Sequence, residues 1–93
     1  MSLRQTLPPW RPFLVCRDTN RRAEYELCES AGDFAVHSVV TDPDLGDGFS
    51  TERLTRYPYG CGRVEAEQRF RDMAVRLGNL DGTGPLSVHP LTV

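Results

Sequence analysis

Residues 13–18 (FLVCRD), 23–29 (AEYELCE) and 34–40 (FAVHSVV) alternate apolar and polar side chains, and only the turn formers TNRR and SAGD separate them. A period of two belongs to strands, because successive side chains leave a strand on opposite faces. Links this short allow only antiparallel hairpins between neighbouring runs. A turn at Asn20-Arg21 sets Leu14 opposite Leu27, Cys16 opposite Tyr25 and Asp18 opposite Ala23 on one face. The other face then holds Val15 opposite Glu26 and Arg17 opposite Glu24. A second turn at Ala31-Gly32 sets Leu27 against Val36, Tyr25 against Ser38 and Glu26 against His37. A slip of one residue would send every charge into the apolar face, so the pattern fixes the register. Cys16 then lies inside and Cys28 outside, which rules out a bridge between them.

Residues 63–77 (RVEAEQRFRDMAVRL) change to a helical period. Ala66, Phe70, Met73, Ala74 and Leu77 make one stripe. Glu65–Arg69, Glu67–Arg71 and Asp72–Arg76 are acid-to-base pairs at i, i+4, and Gly78 reads as the residue that stops the helix. The segment 41–48 is dense in turn formers, and 57–62 is a turn. Residues 49–57 read either as a fourth strand or as a short helix capped by Ser50; Thr51, Thr55 and Tyr57 favour the strand. Residues 1–12, with Pro8, Pro9 and Pro12, read as an extended arm, and 79–93 either as a loose end or as an extended segment against the sheet edge. The expected fold is therefore α+β: a three- to four-stranded antiparallel meander over 13–57 with one amphipathic helix on one face. At 93 residues the chain makes a single domain with a modest core.

Charge is sorted along the chain. All eleven basic residues are arginine, and the net charge is −2. Residues 1–22 carry a balance of +4, residues 23–52 a balance of −8 with no arginine, and residues 53–76 a balance of +3. The acids Glu24, Glu26, Glu29, Asp42, Asp44, Asp47 and Glu52 form the candidate working surface, suited to a protein partner with a basic face. A second candidate is the start of the helix, where Gly60, Gly62, Arg56 and Arg63 surround free N–H groups that favour an anion. Cys61 sits in the same place, where the helix dipole is expected to lower its thiol pKa.

Several function classes lose support. No apolar run spans a bilayer, and no apolar h-region marks a secretory signal, so the expected location is cytoplasmic. The three cysteines have no CxxC spacing and, with His37 and His89, no zinc spacing. The acidic loop misses the EF-hand pattern, with Gly46 and Arg53 where ligands should stand. The glycines at 60 and 62 are not a phosphate-binding loop. Glu26 opposite His37 reads as a surface charge pair. The expectation is thus a protein that is not an enzyme and needs no cofactor or metal. Nucleic-acid or nucleotide-phosphate binding through Arg56 and Arg63 ranks second and a small enzyme subunit third. A homodimer through the sheet edge or through Phe13 and Val15 fits each of these.

A short antiparallel sheet, one amphipathic helix and sorted charge over residues 13–78 resemble the small accessory proteins of phages and mobile elements. In style the chain is similar to type I anti-CRISPR proteins, a group that shares no common motif. That resemblance implies an inhibitor of a bacterial defence complex, acting on a CRISPR-Cas effector subunit in the host cytoplasm.

Overall fold

The computed structural model describes residues 9–42, 44 and 50–91. Strands β1 (Arg11–Asp18), β2 (Ala23–Ser30), β3 (Asp33–Thr41) and β4 (Ser50–Arg56) precede the helix α1 (Arg63–Asp81), and β5 (Val88–Pro90) follows it. They form one antiparallel sheet in the order β4-β3-β2-β1-β5. The register of the first three strands is the one the alternation predicts, from Leu14 opposite Leu27 to Glu26 opposite His37. Residues 50–56 are a strand, which decides between the two readings of that segment.

Four details differ from the sequence-based expectation. First, the sheet has five strands and not three or four: the tail takes the extended of its two readings and pairs on the β1 edge, with Cys16 opposite Val88 and Leu14 opposite Pro90. The three residues of β5 are too few to show a period, and Pro90 is tolerated there because it stands on an edge. Second, the ladder slips between Pro12 and Leu14, so Phe13 is an extra residue in a bulge. Phe13 therefore packs against the core, edge-on to Phe34 at 6.2 Å, instead of facing outward. Third, α1 does not stop at Gly78. It runs to Asp81, and Gly82 in the left-handed conformation (φ 75°) caps it. Fourth, Glu67 pairs with Arg63 at 3.5 Å and not with Arg71, while Asp72 accepts from Gln68 Nε2 at 2.9 Å. Only Glu65–Arg69 forms as expected, at 3.0 Å.

The main core lies between the sheet and α1. Leu14, Cys16, Leu27, Phe34 and Val36 meet Cys61, Ala66, Phe70 and Ala74. The small residues Ala66, Ala74 and Gly78 bring the helix axis close, and Phe70 fills the space between them. Burying a side chain of that size contributes about 1.5–3 kcal/mol. Among the described residues no helix is long and apolar enough to cross a membrane.

The opposite face of the sheet is also buried at its centre, contrary to the expectation of a solvated surface. Val15, Glu26, Cys28, Ala35 and His37 are all buried. One row across that face runs Pro12, Cys28, Ala35 and Arg56. Trp10, just before β1, reaches the Arg56 guanidinium on β4 at 5.4 Å. The two long side chains span β2 and β3 over the small Cys28 and Ala35.

Candidate anion-binding cleft

α1 packs on β1, β2 and β3, and β4 projects beyond it. This leaves a cleft of about 510 Å³ between the helix and the outer strands. The volume lies in the range of small-molecule sites. Arg53, Thr55 and Tyr57 form one wall, because alternate residues of β4 and its extension share the helix side. Tyr25, Val36 and Ser38 make the floor. Arg69, Asp72, Met73 and Arg76 form the second wall, brought to one face by their spacing of three and four along α1.

Three arginines thus converge with one carboxylate, two phenols and two hydroxyls. Arg69 is held by Glu65 and lies 5.9 Å from the Tyr57 ring centroid. Arg53 and Arg76 have no ion-pair partner among the described residues. Burial pushes up the pKa of Tyr57, and burial followed by the nearby Asp18 carboxyl pushes up that of Tyr25. Both phenols therefore remain O–H donors at neutral pH. Forked guanidinium groups beside hydroxyl donors and aromatic faces suit a phosphate attached to a planar ring.

The acidic residues singled out in the sequence do not form one strip. Glu24 pairs with Arg17 at 3.0 Å. Glu26 and Glu52 flank His37: Oε1 of Glu26 lies 3.5 Å from Nδ1, and Oε1 of Glu52 lies 2.9 Å from Nε2. This carboxylate–imidazole–carboxylate row ties β2, β3 and β4 together on the face away from α1. Glu29 is on the helix side, 3.8 Å from Arg63. Asp42 accepts the Asp44 N–H at 2.9 Å in a local turn, and Asp47 lies outside the described residues.

The anion site expected at the start of α1 is not assembled either. Arg63 turns back over the Phe13 ring at 4.3 Å and pairs with Glu29 and Glu67. Arg56 is on the opposite face with Trp10. Gly62 caps the helix by backbone alone. The Cys61 thiol pKa is raised, not lowered: burial is the main cause, and its hydrogen bond to Glu65 adds to it. Cys16 is pushed up to about 11 by burial and by Asp18. Both thiols are buried, so neither has the exposed thiolate that a reactive cysteine needs.

A further polar cluster joins the β1–β2 turn to the end of α1. Asp18 is 1% exposed and accepts the Arg21 N–H at 3.2 Å. Arg21 Nε donates to Asp81 Oδ1 at 2.6 Å. The Oδ2 atoms of Asp18 and Asp81 are both buried without a hydrogen-bond partner among the described residues, and a proton on one of the two carboxyls would join them. Burial, then that bond, raises the Asp18 pKa; the same bond and Arg21 lower that of Asp81. Of the two, Asp18 is the carboxyl that takes up a proton first as pH falls.

The cleft was readable in part from the sequence: Arg69 and Arg76 are seven apart on one helix face, and Arg53, Thr55 and Tyr57 alternate on one side of β4. The packing of α1 on β1, β2 and β3, which sets these two groups of residues around one cleft, had no sequence signal. No known protein family, curated protein or solved structure matches the chain.

Proposed function

We propose that this chain is a non-catalytic binding module whose α1–β4 cleft takes a phosphate-bearing ligand with an aromatic base: a nucleotide or a short single-stranded nucleic-acid segment. The observation that carries this reading is the convergence of Arg53, Arg69 and Arg76 with Tyr25 and Tyr57 in one cleft, two of the arginines having no ion-pair partner among the described residues. The net charge of −2 disfavours a long polyanion and favours a ligand that meets only this local cationic surface. Stacking on a tyrosine contributes about 1–3 kcal/mol per base and tolerates sequence.

The test is fluorescence anisotropy with a labelled single-stranded oligonucleotide across a salt series, with unlabelled mononucleotide as competitor. Affinity should fall with salt, the slope of log K against log salt being roughly −2 for three phosphates neutralised at about 0.7 each. The double variant Arg53→Ala/Arg76→Ala should bind at least about tenfold more weakly. Binding that ignores salt, or that survives the double variant unchanged, would sink the reading.

A further inference from the structure

The two edges of the sheet end differently. β5 has three residues and finishes on Pro90, so it offers little backbone to another strand. β4 has seven residues, no proline, and every side chain exposed or half-buried. The Tyr57 N–H donates to the Phe34 carbonyl at 2.9 Å, which fixes the phase of the ladder. Amide groups alternate in direction along an antiparallel strand. Thr51, Arg53 and Thr55 therefore turn theirs toward β3, and Glu52, Leu54 and Arg56 turn theirs toward the edge, which no described strand covers.

We propose that two copies of this chain pair β4 to β4, antiparallel, with Leu54 on the two-fold axis. Charge selects that register. A continuous sheet keeps the α1 sides of both copies together, so even positions must oppose even positions. Leu54 opposite Leu54 sets Glu52 opposite Arg56 of the second copy, twice. The adjacent register on one side opposes Arg53 to Arg53, and like charges directly opposite are unfavourable. The adjacent register on the other side opposes Leu54 to Arg56 and forms neither ion pair. In the chosen register all three outward-facing residues exchange both backbone hydrogen bonds with the second copy. Glu52 is already held by His37, and Arg56 by Trp10, so both charges stand ordered at the edge.

On the α1 side, the same pairing sets Arg53 opposite the second copy's Thr55. The two clefts then abut across the axis as one cationic groove. This consequence rests on the anion-binding reading; the pairing does not.

The experiment is sedimentation equilibrium of the full chain over a concentration series, with far-UV circular dichroism to confirm folding. A monomer–dimer equilibrium is expected. Glu52→Arg alone or Arg56→Glu alone should weaken it by about tenfold or more. The double variant Glu52→Arg/Arg56→Glu should restore it. Independently, Leu54→Cys should form a disulfide-linked dimer on mild oxidation, because an on-axis hydrogen-bonded pair has Cα atoms about 5.5 Å apart, within disulfide reach. Thr51→Cys, far from its own copy, should not. A wild-type chain that stays monomeric throughout, or a Leu54→Cys chain that does not cross-link, overturns the pairing. A dimer that binds no oligonucleotide keeps the pairing and sinks the cleft reading, and a monomer that binds does the reverse.

Discussion

Gly78→Ala sets two opposing effects against each other at one buried helical position. In an open helix interior, replacing glycine by alanine stabilises by about 0.5–1 kcal/mol, since alanine loses less backbone freedom on folding. At Gly78 the added Cβ would stand 2.6 Å from the Gly84 carbonyl carbon and 2.9 Å from the Pro85 Cα, and closer still to the Gly84 oxygen. Ordinary carbon–carbon contact is about 3.5–4.0 Å, so residues 84–85 must retreat by about 1 Å. That segment is pinned on both sides. The Thr83 N–H donates to the Gly78 carbonyl at 3.1 Å, and the Leu86 N–H donates to the Ala74 carbonyl at 3.2 Å. Losing both bonds costs about 2 kcal/mol, and residual overlap adds about 1–3 kcal/mol. Set against the helical gain, the net change is about 2–4 kcal/mol of destabilisation. The assay is urea denaturation followed by circular dichroism, with the exposed neighbour Asn79→Ala as control, which should stay within about 0.5 kcal/mol. Stabilisation by Gly78→Ala would refute the argument, because it would mean that the chain after α1 does not cross the helix at this point.

Two further outcomes follow from the buried titrating groups. Asp18 has its folded pKa raised, so its contribution is full below its unfolded pKa and is lost as pH rises through the folded value. Asp81 has its folded pKa lowered, so its contribution is present above its unfolded pKa and is lost as pH falls through the folded value. Asp18→Asn keeps a donor for Asp81 and an acceptor for the Arg21 N–H but cannot ionise. Its stability relative to wild type should therefore grow as pH rises through the Asp18 folded pKa, read as urea midpoints across a pH series; a gap constant with pH would count against a shared proton. Cys61 and Cys16 should label slowly with a maleimide in the native state and fully in denaturant, both being buried with raised pKa values; rapid native labelling confined to Cys61 would restore a reactive thiol.

What was legible in the sequence was whatever a one-dimensional period encodes. Alternation gave β1 to β3 and their pairing down to Glu26 opposite His37, because a one-residue slip there has a large cost. The same period left open how deep each face lies. It placed His37 correctly beside Glu26 yet on a solvated surface, whereas the ring is 2% exposed. The carboxylates that flank the ring come from two other strands, Glu26 on β2 and Glu52 on β4, and Glu52 stands 15 positions away in sequence with no shared pattern. The end of α1 was misplaced for a related reason. Gly78 looked like a stop because glycine is poor in helices, but it serves the close approach of Gly84, and the left-handed cap falls to Gly82.

Charge was the least faithful guide, and the reason is geometric. A run of acids in sequence alternates between two faces once it becomes a strand, so Glu24 and Glu26 part from Glu29 across the β1 bulge and the pleat. Each then meets a different cation or imidazole: Arg17, His37 or Arg63. The arginines behave in the opposite way. Arg53 on β4 and Arg69 and Arg76 on α1 are scattered in sequence, and the fold brings them to one cleft with a single opposing carboxylate. A charge surplus therefore matters where the tertiary structure leaves it unpaired, and by that criterion the basic cleft outranks the acidic segment as the surface to mutate first.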